Sequence, residues 1–373
     1  MPWYNDLRPD KGDDKKKDYA LLFPQMTSAE KIRCINNLLV LREGLDQEIP
    51  PRRTDQNLLL ASWNIKELGH TTQRLPEAYF YLAEILNRFD LIAVQEIKSS
   101  LKDIDILLRL LGSDWAYMVN DITEGRSGNS ERSAYIYNKK SIALSGIAGE
   151  ITLWDELTAN APIKQLKRTP YITGFQSGWK KFSLINLHLH PGDDDDDIDL
   201  RFEEVRLFLL AIEEKLRNNR FWNDNLIVLG DFNFYSDTVQ TEKDGAAVNL
   251  FNDKGFRELE DLKGANTNAS QTQGYDRIFF RTNKYFKIQR DEDNVEKAGV
   301  FNPFQYVFTD EQVPIYSETM RKVYQGELSD EAYYQRYWKK NQLSDHFPIW
   351  TEIIIDSSDS FLREKLQLIR NDE

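Results

Sequence analysis

The strongest constraint on the fold of this chain is a repeated arrangement in which short apolar runs are followed directly by polar residues. The runs predict buried β-strands, and the clearest six cover residues 58–62, 91–94, 134–137, 182–187, 226–229 and 277–280. Segments with apolar residues at helical spacing, such as 76–88 and 202–216, lie between some of the runs. Strands interspersed with helices predict an α/β or α+β domain.

Polar residues stand where these predicted strands end. The clusters are Trp63-Asn64, Gln95-Glu96, His188, Gly230 to Asn233, Tyr275 to Arg277, and Ser344 to His346. A residue of this kind on its own is usually a turn or capping residue. Because the loops beyond strand ends are where sites are assembled in sheet proteins, the recurrence of such groups at so many ends predicts one shared site.

Carboxylates, amides and histidines together are the groups needed to hydrolyse a phosphate ester. Oxygen ligands such as Asn64 and Glu96 suit a hard divalent cation, which neutralises charge on the phosphoryl group. Histidines transfer protons near neutral pH. A zinc cage is disfavoured because the chain has one cysteine and no His-x-x-x-His spacing, and neither a Gly-rich phosphate loop nor a Gly-x-Ser-x-Gly motif occurs.

The chain divides into a polar, partly helical extension, residues 1–56, and a larger domain, residues 57–373, that ends in a helix. In the extension, Thr27 and Glu30 have the spacing of a capping box. We expect that helix to bury one face, formed by Ile32, Ile35, Leu38 and Leu39. In the final helix we expect three apolar residues to pack against the domain, namely Leu362, Leu366 and Ile369.

The single cysteine, Cys34, excludes an intramolecular disulfide and favours a reducing compartment. The first residues include a charged stretch from Lys11 to Asp18 and no apolar signal-peptide core, and no run approaches the roughly 18 apolar residues of a membrane span. We therefore expect a cytoplasmic protein.

The run Asp193 to Asp197 predicts a solvated loop leading into a helix, with a calcium site as the alternative.

The net charge of -13, from 48 basic and 61 acidic residues, argues mildly against a protein that coats a nucleic-acid backbone. The argument is weak because a site that collects carboxylates around a cation looks acidic when the metal is not counted.

Six motifs occur in an order that resembles the endonuclease/exonuclease/phosphatase superfamily. They are SWNIKEL, LIAVQEIK, LINLHLH, LIVLGDFN, YDRIFF and LSDHFPIW, and the resemblance extends from Leu58 to about Ile355. The resemblance implies an α/β fold, a four-layer α/β sandwich in which two mixed β-sheets are flanked by helices, with the site at one edge of the sheet pair.

Within the superfamily, the sequence is most similar to the deoxyribonuclease I family. The similarity lies in the stretch EGRSGNSERSAYIY from Glu124 to Tyr137, in His188, and in the motifs YDRI and NPFQYVF. It implies that Asn64 and Glu96 bind the metal and that Asp345 binds or orients a second metal.

The same resemblance implies the phosphate contacts. Asp231 and Asn233 would position the phosphate and the attacking water. Arg168, in the segment KRTPY, would bind the phosphate, and Lys98 would contact the nucleic-acid backbone.

The resemblance also implies two histidine–carboxylate pairs. His346 with Asp276 would be the general base, and His188 with Glu131 the general acid that protonates the leaving oxygen. We expect the other two histidines, His70 and His190, to be dispensable because neither has a carboxylate partner in this constellation.

The predicted function is a divalent-metal-dependent phosphodiesterase, an endonuclease that hydrolyses DNA with Mg²⁺, or with Mn²⁺ or Ca²⁺. The alternative is a phosphoesterase of the same fold that acts on a phospholipid head group or an inositol phosphate. A catalytically inactive binding module is disfavoured because every expected catalytic position carries a competent residue.

The stretch 313–340, rich in aromatic and basic residues, is longer than expected. It is either a nucleic-acid surface or a helical cover with its aromatics inward, and we favour the helical cover.

Overall fold

Two β-sheets stacked face to face form the centre of the fold in the computed structural model, which describes residues 2–9, 21–70, 74–122, 130–218, 224–235 and 241–371. In chain order the strands are β1 (Asn57–Leu68), β2 (Leu91–Ile97), β3 (Trp115–Val119), β4 (Arg132–Asn138), β5 (Ala143–Glu150), β6 (Tyr171–Ser177), β7 (Lys180–His188), β8 (Leu226–Asp231), β9 (Arg257–Glu258), β10 (Asp276–Arg281), β11 (Lys287–Ile288), β12 (Ala298–Val300) and β13 (Ile349–Ile354). The helices are α1 (Ser28–Glu48), α2 (Pro76–Asn87), α3 (Lys102–Leu111), α4 (Asp195–Arg217), α5 (Thr241–Asp253), α6 (Val313–Val323), α7 (Asp330–Tyr333), α8 (Lys339–Gln342) and α9 (Ser358–Asn371).

Both sheets are mixed. The first has the order β11-β13-β1-β2-β4-β3, with β12 also paired to β13, and the second has the order β5-β6-β7-β8-β10-β9. In each sheet one central pair is parallel, β1 with β2 and β7 with β8, and the neighbouring pairs are antiparallel.

Three apolar layers hold four structural layers together. One lies between the sheets and includes Leu60, Tyr135 and Phe182. A second joins the first sheet to the helices on its outer face, and a third joins the second sheet to α4 and α5 through residues such as Phe208 and Phe251. The predicted four-layer sandwich is confirmed.

All six predicted strands are present, each inside a longer strand. The edge strand β5 was not predicted, because its sequence, ALSGIAGE, has small residues and five of its eight positions are exposed. Strand β6 was missed as well, since the polar residues of YITGFQS obscure an apolar run.

Helix α1 begins at the predicted capping box, because Thr27 accepts a hydrogen bond from the backbone of Glu30 and the Glu30 carboxylate accepts one from the backbone of Thr27. The predicted buried face was wrong at three of its four positions. The helix buries Cys34, Leu38, Leu41 and Leu45, and exposes Ile32, Ile35 and Leu39. Both stripes have helical spacing, so the period alone could not select between them.

Polar contacts with α2 select the buried face of α1. Arg33 forms an ion pair with Glu77 at 2.8 Å, and the Asn37 amide donates to the Tyr81 hydroxyl at 2.9 Å. The extension therefore packs on the larger domain, although a domain boundary near residue 56 stays a prediction.

The expected packing of the last helix, α9, was also wrong. Leu362, Leu366 and Ile369 are 62%, 48% and 61% exposed. Contacts with the domain come instead from the first two turns, where Phe361 contacts the rings of Trp179 and Tyr285. The apolar stripe lies on the other side of the helix.

The acidic run 193–197 is only partly a loop, because α4 begins within it. Asp194 caps that helix by accepting from the backbone N–H of Asp197, and the acidic first turn is favourable at a helix N-terminus. The stretch Lys11 to Asp18 lies outside the described residues.

The segment 313–340 is a helical cover, as the favoured alternative predicted. Helices α6, α7 and α8, with a π-helical turn at Tyr334–Trp338, bury four aromatic side chains, Tyr316, Tyr333, Tyr334 and Trp338. Tyr337 remains 51% exposed.

Across the described part of the chain, no helix has the length and apolar character that a bilayer crossing requires.

The two stripes of α1 generate a stability prediction. Leu41→Ala should lower the free energy of unfolding by about 2 to 5 kcal/mol, because it leaves a cavity between α1 and the domain. Leu39→Ala, on the exposed side of the same helix, should change it by about 0.5 kcal/mol or less. Urea unfolding measures both variants, and equal losses would contradict the observed face.

Candidate active site

The predicted site residues meet where the two parallel strand pairs end. Asn64 pairs with Gln95 in β1 and β2, and His188 pairs with Asp231 in β7 and β8. Asp276, the first residue of β10, lies opposite Asp231. The carboxyl ends of the parallel pairs share one edge of the sandwich, so side chains distant in sequence become neighbours.

Asp231 lies at the centre of this group. Its Oδ2 accepts a hydrogen bond from the Asn64 amide at 3.0 Å, and it lies 3.6 Å from Nε2 of His188 and 3.7 Å from Nε2 of His346. Its Oδ1 accepts from the backbone N–H of Asn233 at 2.9 Å. Asp231 is 2% exposed. Both imidazoles therefore face one buried carboxylate.

The pairing of His346 with Asp276 agrees with the geometry. Nδ1 of His346 lies 2.8 Å from Asp276 Oδ2, which also accepts from the Thr267 hydroxyl at 2.6 Å. Burial alone would lower the pKa of His346, but the charges of Asp276 and Asp231 outweigh it and raise that pKa well above the ordinary value. A proton on Nδ1 that is donated to Asp276 leaves Nε2 directed at the site.

The pairing of His188 with Glu131 is looser. Nδ1 of His188 lies 3.5 Å from Glu131 Oε2, beyond an ordinary hydrogen bond. The same carboxylate forms ion pairs with Lys98 and Arg168, each at 3.0 Å. Burial, followed by the charge of Arg168, lowers the pKa of His188 to about 3, so its imidazole is neutral in this state.

Asn64 and Glu96 have the features of a cation site. The Asn64 amide donates to Glu96 Oε1 at 3.0 Å, while Asn64 Oδ1 is buried and has no hydrogen-bond partner within the described ranges. Burial raises the pKa of Glu96, and the charges of Glu131 and Asp345 raise it further. A divalent cation would satisfy the amide oxygen and offset the repulsion between carboxylates, so the donors fit such an ion.

The backbone of Glu96 is bent to place its side chain. The residue has φ +59° and lies where the ladders of β2 with β1 and with β4 both shift register. A bulge redirects a side chain, and a glutamate in the left-handed region is unusual. The strain is concentrated at a predicted metal ligand, as is common at functional sites.

Gly230 allows β7 and β8 to approach each other next to two predicted catalytic residues. It has φ +143°, and a Cβ at this position would lie 1.9 Å from the backbone oxygen of Leu187. A larger residue would push apart the strands that carry His188 and Asp231.

Asp345 already has a basic partner. Lys66 Nζ lies 3.1 Å from its Oδ2, and although burial alone would raise the pKa of Asp345, the charges of His346 and Lys66 lower it. Sequence reasoning missed Lys66. The period of the strand contained the signal, because Lys66 is two residues beyond Asn64 in β1.

The remaining histidines lie apart from this group. His190 Nε2 lies 2.7 Å from Asp197 Oδ1, a carboxylate outside the predicted constellation, so the dispensability of His190 stays a prediction. The acidic run near His190 made that contact possible. His70 is exposed.

Residues 124–129 of the stretch that contains Glu131 lie outside the described residues. In the part of the chain that the structure covers, no three His, Cys, Asp or Glu side chains form a cluster that could hold a metal by themselves. The candidate cation site therefore relies on the Asn64 amide and leaves positions for water and substrate.

Comparisons with known proteins agree with the ordered motifs. No family model matches the chain. Human deoxyribonuclease-1 is 27% identical over 232 residues, covering 60% of this chain and 76% of that protein. Deoxyribonuclease gamma from Rattus norvegicus is 24% identical over 320 residues, covering 83% of this chain and 88% of that protein. A solved endonuclease/exonuclease/phosphatase family protein from Bacteroides thetaiotaomicron is 17% identical, with 80% of this chain and 98% of that chain covered and a TM-score of 0.48.

The contact between His346 and Asp276 generates a pKa prediction. Asp276→Asn should lower the pKa of His346, because the substitution removes the nearest negative charge that favours the imidazolium. NMR titration of the histidine ring signals measures the shift. The control is Asp197→Asn, which removes a carboxylate beside His190 and should leave the pKa of His346 unchanged. If the pKa of His346 did not change in Asp276→Asn, Asp276 would not be the charge that raises it.

Proposed function

We propose that this chain, a phosphodiesterase of the endonuclease/exonuclease/phosphatase superfamily, is a divalent-metal-dependent endonuclease that hydrolyses DNA. The observation that carries the proposal is the convergence of His188 Nε2, His346 Nε2 and the Asn64 amide on Asp231 Oδ2, at 3.6, 3.7 and 3.0 Å. Residues from three strands and a loop meet there, with acid–base groups beside a cation site. This combination is what phosphodiester hydrolysis requires.

The metal would be held by Asn64 and Glu96, with Mg²⁺ as the first choice and Mn²⁺ or Ca²⁺ as alternatives. When bound, the cation would neutralise charge that develops on the phosphoryl oxygens. Asp345 is a weaker candidate ligand, because Lys66 already neutralises it at 3.1 Å. We therefore propose that Asp345 orients this side of the site and that Lys66 takes the place of a second cation.

The scissile phosphate would lie among Asp231, Asn233, Arg168 and Lys98. Arg168 and Lys98 are 8% exposed and share the single carboxylate of Glu131, so the three side chains carry one net positive charge. An anionic phosphodiester would complete that balance. Because Arg168 and Lys98 lie inside the site, we expect them to contact the scissile phosphate itself. They would contact the neighbouring phosphates of the nucleic acid less directly.

The proton transfers would be divided between the two histidines. With its Nδ1–H hydrogen-bonded to Asp276, His346 would present Nε2 to the attacking water. Nε2 could take a proton there once a cation at Asn64 and Glu96 offset the carboxylate charges that raise the pKa of His346. His188 would give a proton to the leaving oxygen. For that role its pKa, which is lowered first by burial and then by the charge of Arg168, would have to rise, and a phosphate bound at Arg168 would raise it by offsetting the guanidinium charge.

DNA is the proposed substrate because the two curated relatives described above are named as deoxyribonucleases. We further propose a reducing, cytoplasmic location, which rests on the single buried cysteine, Cys34. The extension 1–56 would act as a support for the catalytic domain, since α1 packs against α2.

A substrate panel tests the proposal and the metal requirement together. Plasmid DNA, single-stranded DNA, RNA and a lipid phosphodiester are each incubated with Mg²⁺ and with chelator. We expect plasmid cleavage with Mg²⁺ alone, declining as salt rises because association releases counterions. Full activity in chelator would exclude the metal role, and lipid cleavage with every nucleic acid intact would favour the alternative phosphoesterase.

The two histidine roles can be separated by the leaving group. His188→Ala and His346→Ala should each lower kcat on DNA by about 10² to 10⁴-fold, while His190→Ala and His70→Ala should be near wild type. On a p-nitrophenyl phosphodiester, whose leaving group needs no proton, the loss in His188→Ala should shrink and that in His346→Ala should persist. The reverse pattern would exchange the two roles, and an inactive His190→Ala beside an active His188→Ala would overturn the assignment.

A further inference from the structure

Glu204, on helix α4, occupies the gap in which strands β6 and β7 stop pairing. The antiparallel register that places Tyr171 opposite Asn186 would, if continued, place Lys167 opposite His190. At that position no backbone hydrogen bond joins the two described segments directly. The Glu204 carboxylate lies between them, with Oε1 accepting from the backbone N–H of Lys167 at 2.5 Å and Oε2 from that of His190 at 2.7 Å.

We propose that Glu204 is a positioning residue that holds the segment containing Arg168 against the segment containing His188. The inference rests on the proposed phosphodiesterase site, which it deepens by adding a residue that touches neither substrate nor metal. Each carboxylate oxygen binds one segment, so the spacing between them is set by the width of one carboxylate.

The bonded segments lead directly to the reacting groups. Arg168 follows Lys167, donates to the backbone oxygen of Leu189 at 3.3 Å and pairs with Glu131 at 3.0 Å. The same Leu189 oxygen accepts from the Asn233 amide at 3.2 Å. Release of the Lys167 or His190 backbone would therefore move the guanidinium of Arg168 and the support of Asn233 together.

A carboxylate is needed at this place because both facing groups are donors. Glu204 is 2% exposed, and burial raises its pKa to about 7 although the two N–H bonds and the charges of Arg168 and Lys167 oppose that rise. A buried charge is retained only when its hydrogen bonds compensate for lost hydration. A glutamine would offer one acceptor, and its NH₂ group would face the second N–H.

Neighbouring charged groups complete the surroundings of Glu204. Arg201, one turn earlier on α4, donates to the backbone oxygens of His190 and Gly192 at 3.0 and 2.8 Å and pairs with Asp244. The His190 ring bonds Asp197 at 2.7 Å. These contacts hold the far side of the His190 segment, so Glu204 has the separate task of joining it to the Arg168 segment.

The experiment compares Glu204→Gln with Glu203→Gln, the adjacent residue on α4, whose carboxylate bonds Arg206. On a p-nitrophenyl phosphodiester, Glu204→Gln should lower kcat/KM by about 10 to 100-fold, the range typical of residues that orient functional groups through hydrogen bonds, while Glu203→Gln should stay near wild type. If Glu204→Gln does not fold, Glu204→Asp, which keeps the charge and shortens the reach, is measured in its place.

A double-mutant cycle with Arg168→Ala separates positioning from general destabilisation. If Glu204 acts through Arg168, the Glu204 substitution should cost less than about 3-fold once Arg168 is absent, because coupled residues are not additive. An equal loss in both backgrounds would overturn the proposal.

Hydrogen exchange tests the contact independently of catalysis. In Glu204→Gln the backbone amides of Lys167 and His190 should exchange faster than in wild type, with the rest of the sheet unchanged. Unchanged exchange at both amides would overturn the proposal even if activity fell. If wild type cleaves no phosphodiester, the proposed function fails, and the exchange rates still report whether Glu204 joins the two segments.

Discussion

A buried hydrogen bond between the two sheets, from the Gln95 amide on β2 to the Asn186 side chain on β7, fixes the edge of the sandwich on which the site depends. The bond is 2.7 Å long, and the Asn186 amide also donates to the backbone oxygens of Val94 and Ala134, where the β2–β4 ladder begins to shift register. Apolar contacts between sheets have no preferred direction, whereas these bonds allow only one alignment. Losing one partner would leave buried polar atoms unsatisfied, at about 1 to 3 kcal/mol each, and the site residues begin one or two positions away.

The alignment of the sheets also explains the charge of the site. Five buried or partly buried carboxylates gather at this edge: Glu96, Glu131, Asp231, Asp276 and Asp345. Three basic side chains pair with two of them, since Lys98 and Arg168 share Glu131 and Lys66 holds Asp345. Two further carboxylates, Glu96 and Asp231, accept hydrogen bonds from the amide nitrogen of Asn64, whose oxygen has no hydrogen-bond partner within the described residues. A cation there would make the site attractive to an anion, so the net charge of -13 says little about the substrate.

Much of this arrangement could be predicted from the sequence, because strand period and strand-end polarity are local signals. Asn64, His188 and Asp231 follow directly from the ends of apolar runs. Choices among competing partners could not be predicted in this way. The sharing of Glu131 among three groups depends on distances between segments far apart in sequence, and the buried stripe of α1 depends on what α2 offers. The spacing of apolar residues shows which faces of an element could be buried. The contacts with neighbouring elements determine which of those faces is buried.

Elements outside the sheets determine how rigidly the strand ends are held. Glu204 and Arg201 support the second sheet from α4, and Arg74 has the corresponding position at the first sheet. The buried guanidinium of Arg74 donates to the backbone oxygens of Lys66 and Gln342 at 3.1 and 3.0 Å and pairs with Asp103. The helical cover that ends at Gln342 is therefore bonded to β1 next to the site. Because its aromatic side chains are mostly buried, the cover supports the strand end through this backbone contact and presents few rings on which a base could stack.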